Sequence, residues 1–287
     1  MTDSAPEPLF RRIGPETPAS PVVISVPHAG RSYPEALIAA SRLPRATLES
    51  LEDRLVDRLI WRAVAAGASA LIADAPRAEI DLNRDEREID PATIAPSPPP
   101  ASVLQTPRSR GGLGLIPSRI PGAGPIWRQR VPVAELSRRI EEIHRPYHEA
   151  LARMLHAARA CHGVAILLDC HSMPARDGDS IAQIVLGDRH GTSCGAEHVD
   201  AAAAAVRAAG LVPSRNAPYA GGYITARHGR PAEGVHALQL EIDRRLYLAP
   251  DLRSPGPGFD AVTRLVARIA AALAASAAEP SQAIAAE

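Results

Sequence analysis

The chain has 287 residues, 46% apolar and 22% charged, with 32 basic side chains balanced by 32 acidic ones. That composition makes a packed core feasible and excludes a mostly disordered or fibrous chain, and zero net charge removes the positive field of a dedicated nucleic-acid binder. Every basic residue is Arg and none is Lys, which excludes a Schiff-base lysine or a phosphate-loop lysine. The amino terminus, MTDSAPEPLFRRIG, lacks a basic start followed by an apolar run. No uninterrupted apolar stretch reaches the roughly 18 residues of a membrane span, so the chain reads as soluble and unexported, with no membrane partner. Cys161, Cys170 and Cys194 are odd in number and form no CxxC pair, which fits a reducing cytoplasm.

The run VVISV at 22–26 ends in Pro27-His28-Ala29-Gly30, the pattern of a buried strand that turns sharply at its carboxyl end. Leu48, Leu51, Leu55, Leu59 and Ala63 recur at spacings of three and four, which predicts a helix over 47–66 that Gly67 terminates. A strand at 69–73 follows, and two strands joined by a helical stretch suggest a parallel crossover. Between Pro91 and Pro132 lie 10 of the 28 prolines and 5 glycines, an irregular excursion that is either a lid or specificity loop or a disordered insertion. The stripe from Val133 to Ala160 predicts helix, kinked or divided at Pro146 and ended by Gly163. Strands are expected at 164–168, 181–186 and 236–242, with helices at 196–209 and 259–274. Alternating strands and helices indicate α/β architecture. The division expected is an N-terminal arm at 1–20, one domain at 21–275 and a disordered tail at 276–287.

In open α/β sheets ligands collect beyond the carboxyl ends of the strands, and His28 and His171 both stand where apolar strands run out. Either is equally at home as a loop or core histidine. In extended chain Asp169 and His171 share a face while Cys170 points away, which makes Cys170 a poor catalytic partner for its neighbour. Asp169 is open to three roles: a carboxylate orienting the histidine, a ligand, or a turn residue. Gln239, Glu241 and Asp243 alternate with Leu238, Leu240 and Ile242, so either a central strand buries carboxylates beside a metal or an edge strand shows them to water. Arg77 with Asp81-Leu82-Asn83-Arg84 forms either an anion-binding fork or surface salt bridges. Gly221-Gly222-Tyr223-Ile224-Thr225, with Arg227 and His228 behind, permits close backbone approach to a ligand but also suits a turn before a strand.

Together the runs VPHAG at 26–30, EIDLNR at 79–84, DCHSMP at 169–174, GGYITARHGRP at 221–231 and HALQLEI at 236–242 resemble N-formylglutamate amidohydrolases across roughly 20–250. That family is similar in turn to zinc carboxypeptidases and aspartoacylase-type deacylases. The resemblance implies a three-layer α/β/α fold around a central mixed, mostly parallel sheet. It also implies hydrolysis of a small-molecule N-acyl amino acid with one zinc ion per chain. Carried over residue by residue, His28 and His171 are metal ligands, Asn83 and Arg84 hold a substrate carboxylate, and Glu241 is the general base. Arg77 would help offset charge on the acyl oxygen, and Tyr223, Thr225 or His228 would read the remaining groups. Carboxypeptidases place a glutamate three residues after the first histidine, where this chain has Arg31. The acidic ligand must then come from elsewhere, and Asp53 is chosen over Glu49, Glu52 and Asp169. Two other classes stay open. A serine hydrolase is disfavoured because Ser172 has no evident base. A non-catalytic ligand-binding homologue could keep the same fold and histidines. The sequence leaves the oligomeric state open.

Overall fold

The computed structural model describes residues 9–174 and 182–278. Its centre is a seven-stranded sheet of β1 (Phe10–Ile13), β2 (Val22–Val26), β3 (Ser69–Ala73), β4 (Ala165–Met173), β5 (Ile184–Gly187), β6 (Pro213–Arg215) and β7 (Val235–Asp243), in the order β1-β3-β2-β4-β7-β5-β6. Four neighbouring pairs are parallel; β1 with β3 and β7 with β5 are antiparallel. The parallel crossover between β2 and β3 and the mixed, mostly parallel sheet are as expected. Part of the expected N-terminal arm is an edge strand, β1. The start of the strand expected at 181–186 lies outside the described residues, and the described strand begins at Ile184.

Side-chain alternation splits the core into two layers. Val22, Ile24 and Val26 of β2, with Ile166, Leu168 and Cys170 of β4, face helices α2 (Ala196–Ala208) and α4 (Phe259–Ala278). Val23 of β2, Ala165 and Leu167 of β4 and Ala237 of β7 face the other way, toward α1 (Arg145–His162) and the excursion. The three-layer α/β/α arrangement follows. By length and composition α4 is apolar enough to cross a membrane, but Val262, Val266, Ile269 and Leu273 pack into the core. It runs to Ala278, past the expected domain end, and residues 279–287 of the expected tail lie outside the described residues.

The excursion is packed, and the disordered-insertion reading does not hold. Ile94, Leu115 and Ile126 are fully buried, residues Ile94–Ala95 pair with Val131–Pro132, and Arg119–Ile120 pairs with Gly124–Pro125. Leu115 N–H donates to Glu88 O and Asp81 N–H to Leu115 O, which staples the excursion to the 81–88 loop. Before α1 a helical segment Val133–Arg139 passes through a π turn at Ile140–His144, so the chain reaches Pro146 with its missing N–H accommodated at the start of α1. Gly163, at φ 78°, ends α1 as expected.

The helix expected over 47–66 is not continuous. Helical turns at Arg45–Leu48 and Glu49–Leu51 stop at Glu52, which is extended, and Leu55 is left-handed at φ 62° before helix resumes at Val56–Leu59 and Trp61–Ala65. The apolar spacing is kept because each short piece still faces the core. What it cannot show is that Asp53 N–H donates to His28 O at 2.9 Å, drawing the chain out of helix to meet the end of β2.

Candidate active site

His171 and Glu241 are direct partners on the parallel pair β4 and β7, as are Asp169 and Gln239. Because β7 lies between β4 and β5, the edge-strand reading of its polar face is excluded. These side chains sit on the face that the excursion covers, at the carboxyl ends of β2, β4 and β7. His171, Gln239 and Glu241 line a cavity of about 390 Å³ with His28, Asp53, Arg77, Asn83, Arg84, Arg108, Ser172, Tyr219 and Arg244.

His28, Asp53 and His171 are buried, and their ligand atoms all lie within 4.8 Å of one another. Both rings are oriented the same way. His28 Nε2 is 2.8 Å from Asp81 Oδ1, and His171 Nε2 is 2.9 Å from Asp169 Oδ2. Each Nε2–H therefore donates to a carboxylate, and each Nδ1 lone pair is turned toward Asp53 Oδ2, at 3.3 Å from His28 and 3.0 Å from His171. His28 Nδ1 is buried with no hydrogen-bond partner. Asp53 Oδ1 is held by Ser172 Oγ at 3.2 Å and Arg244 Nη2 at 3.4 Å, leaving Oδ2 as its inward-facing atom. Two imidazole lone pairs and a carboxylate oxygen converging, each backed by a second partner, form a donor set for a cation. Without one, a proton serves: burial pushes against charge on both groups, yet their facing hydrogen bonds hold Asp53 well below the usual carboxylate range and, with Asp169, hold His171 well above the usual imidazole range.

The other acids weighed as the third ligand are engaged elsewhere. Glu52 accepts from Tyr33 Oη and Arg54 Nη1, each at 2.8 Å. Glu49 accepts from Arg45 and Arg253. Asp169 takes His171 Nε2–H and the Ser25 hydroxyl, the orienting role. A second grouping, Glu197, His198 and His236, lies at the opposite end of β7. There Gly195 N–H donates to His236 Nδ1 at 3.0 Å, so that lone pair is committed and Nε2 carries the hydrogen.

Asp81 and Arg84 are buried, not surface salt-bridge partners. Asp81 Oδ2 accepts from Arg77 Nε at 2.9 Å while Oδ1 serves His28 and Asn83 N–H. Arg84 donates from Nε to Leu113 O and from Nη1 to Asn83 O. Asn83 is committed: Oδ1 accepts Ile224 N–H at 2.8 Å, and Nδ2 donates to Gln239 Oε1 at 3.3 Å. Gln239 Nε2 in turn donates to Glu241 Oε1 at 2.9 Å. This chain fixes the Glu241 carboxyl, whose pKa burial, partly offset by His171, pushes up to about 7.

Tyr223, Thr225 and His228 do not line the cavity. They belong to a short helix, α3 (Tyr223–His228), not to the turn before a strand, and α3 packs behind Asn83. A Cβ on Gly222 would meet the Asn83 amide at 2.3 Å, so the glycine permits approach to a protein side chain in place of a ligand. Thr225 Oγ1 donates to Gly222 O, and Tyr223 Oη accepts from Arg227 Nη1. His148 donates from Nε2 to Leu82 O at 3.0 Å, so its Nδ1 accepts from His228 Nε2, also at 3.0 Å. His228 thus supports the loop that carries Asn83 and Arg84. Cys170 lies on the opposite face, and burial holds its thiol well above the usual range, which suits a core residue. Sequence reading missed the cavity positions of Gln239, Arg108, Tyr219 and Arg244. Only Gln239 carried a signal, its i, i+2 spacing from Glu241.

Fold and site define an α/β protein with a buried two-histidine, one-aspartate centre at the carboxyl ends of parallel strands, beside a carboxyl group poised near neutrality. Residues 20–248 match the family model described as N-formylglutamate amidohydrolase. The chain belongs to the N-formylglutamate amidohydrolase family. It is 32% identical over 238 residues to an N-formylglutamate deformylase of Pseudomonas aeruginosa, and 30% identical over 239 residues to one of Pseudomonas putida, each match covering 79% of this chain and 82% of the relative. The crystal structure of an N-formylglutamate amidohydrolase from Ralstonia eutropha JMP134 superposes with a TM-score of 0.84 at 35% identity, covering 93% of this chain and 96% of that one.

Proposed function

We propose that the protein hydrolyses an N-formyl amino acid, N-formylglutamate by analogy with its relatives, to formate and the free amino acid, using one zinc ion per chain. The observation that carries the reading is the convergence of His28 Nδ1, His171 Nδ1 and Asp53 Oδ2 beside Glu241 in one cavity. Two neutral imidazoles and one carboxylate are a ligand set typical of catalytic zinc with an open fourth position. When bound there, zinc would supply a Lewis acid that lowers the pKa of water and polarises the acyl oxygen.

The chain's own residues supply the rest. Glu241, with one oxygen held by Gln239, accepts a proton from the attacking water and delivers it to the leaving amine nitrogen. A carboxyl titrating near 7 is matched to both transfers. Arg77, fixed on Asp81, faces the cavity to offset charge on the acyl oxygen. Arg84 holds the amino-acid carboxylate, and Asn83 aligns Gln239. Three free cysteines, Cys161, Cys170 and Cys194, support a cytoplasmic setting.

The test is metal content of the purified protein together with hydrolysis of a panel of N-acyl amino acids. About one zinc per chain is expected, with activity abolished by exhaustive chelation and restored by zinc. Full activity in verified metal-free protein would support metal-independent chemistry instead, and zinc binding without turnover of any N-acyl amino acid would support a ligand-binding homologue.

A further inference from the structure

We propose that Arg108 selects for an acidic amino acid by binding the side-chain carboxylate of the substrate, an inference that rests on the amidohydrolase reading above. Among the described residues four arginines line the cavity: Arg77, Arg84, Arg108 and Arg244. Three hold protein partners: Arg77 on Asp81, Arg84 through Nε and Nη1 on Leu113 O and Asn83 O, with its Nη2 making no hydrogen bond to the described residues, and Arg244 on Ser172 Oγ, Glu52 O and Asp53. Arg108 is exposed, and its side chain has no hydrogen-bond or ion-pair partner among the described residues. Among the described residues, its guanidinium is the cavity cation that a ligand can engage with every donor without displacing a protein partner.

Its backbone, by contrast, is fixed. Arg108 belongs to the helical turn Pro107–Arg110, closed by reciprocal Thr106 and Ser109 hydrogen bonds. Thr106 Oγ1 donates to Glu88 Oε1 at 2.6 Å, tying the turn to the loop that follows Arg84. Leu113 N–H donates to Arg108 O at 2.9 Å, and Leu113 O accepts from Arg84 Nε at 2.9 Å. One residue therefore spaces two arginines on the same cavity wall. Arg84 is held below the usual arginine range by burial and, among its neighbours, by the like charges of Arg77 and Arg108. Two anions relieve that repulsion better than one. A dicarboxylate can place its α-carboxylate at Arg84 and its second carboxylate at Arg108, whereas a neutral amino acid leaves Arg108 in water and gains nothing from it. The Pro/Gly-rich excursion is thereby the element that carries specificity.

The test compares kcat/KM for N-formylglutamate and its carboxamide isostere N-formylglutamine in wild type, Arg108→Gln and Arg108→Lys, each zinc-loaded. Wild type is expected to favour the acid, Arg108→Gln to lose that preference by roughly 10- to 100-fold, and Arg108→Lys to recover part of it. General damage lowers both rates together and leaves their ratio alone. An unchanged ratio in Arg108→Gln, or a wild type without preference, overturns the assignment while leaving the hydrolase reading intact. Failure of wild type to hydrolyse either compound overturns the role of Arg108, and failure on the whole panel of N-acyl amino acids removes the hydrolase reading as well.

Discussion

Asp81 Oδ1 lies 2.8 Å from His28 Nε2, so the aspartate of the EIDLNR run fixes the tautomer of a histidine 53 positions away. Its other oxygen holds Arg77. One carboxylate therefore couples the cation-binding centre to the anion-facing wall. Replacing Asp81 with Asn keeps the shape but removes the charge that both partners need. Zinc affinity of Asp81→Asn is expected to fall roughly 10- to 100-fold, read by competition with a chromophoric chelator. Urea unfolding should also show lost stability of about 1–3 kcal/mol, since the partly buried Arg77 loses its counter-charge. Wild-type zinc affinity would remove Asp81 from its orienting role.

The three converging groups make a second prediction. His28→Ala, Asp53→Ala and His171→Ala should each lower zinc occupancy after dialysis, measured by elemental analysis of folded protein. Glu52→Ala should not, because Glu52 faces Tyr33 and Arg54. Full occupancy in Asp53→Ala with loss in Glu52→Ala would reverse the assignment.

Arg84 differs from a simple surface anchor, because it donates to two backbone carbonyls and is only 5% exposed. Arg84→Lys is expected to lose preference for a substrate with a free α-carboxylate over its α-carboxamide. It should also lose about 1–3 kcal/mol of stability, as Leu113 O or Asn83 O goes unpaired. A stable variant with unchanged preference would count against both roles.

The sheet was legible because its strands are strongly patterned: VVISV and the alternation from 236 to 242 admit few other readings. The places of His28, His171 and Glu241 at strand ends and on a strand face were legible for the same reason, while their roles came from the resemblance alone. Asp53 was reached through the resemblance, and its setting in a helix was wrong, because apolar spacing survives a break that a single backbone hydrogen bond to His28 O creates. Tyr223, Thr225 and His228 were misplaced for a different reason: six residues after a glycine pair carry no period that separates a short helix from a turn and strand. Arg108 was invisible, since nothing in its neighbourhood of prolines, serines and arginines distinguishes a cavity-lining arginine from a solvated one.

Buried histidines behind the site set an acid limit on stability. Burial, then the charge of Arg227, pushes the His228 pKa down to about 4, and burial holds His148 well below the usual range. In the unfolded chain both titrate near 6.5, so between about pH 6.5 and 4 the unfolded state binds more protons. The stabilisation is complete above pH 6.5 and is lost as the pH falls toward 4, on the order of 3 kcal/mol for His228 alone. His228→Gln keeps an N–H for His148 but cannot titrate. Urea unfolding across this range should therefore show a shallower loss in the variant than in wild type, and equal slopes would remove His228 as the source.

The last prediction concerns Glu241. It sits beside His171 on the neighbouring strand, with one oxygen held by Gln239. Glu241→Gln preserves shape and hydrogen-bonding reach but cannot take a proton from water, so kcat should fall by something on the order of 10²- to 10⁴-fold. Zinc should stay bound, because the three converging ligand atoms lie elsewhere. Substrate affinity, measured by calorimetry on the slow variant, should remain near wild type, since Arg84 is untouched. Loss of zinc together with activity would make Glu241 a ligand. Retention of both would leave it a structural residue, and the proton would then have to be carried by another group on the cavity wall.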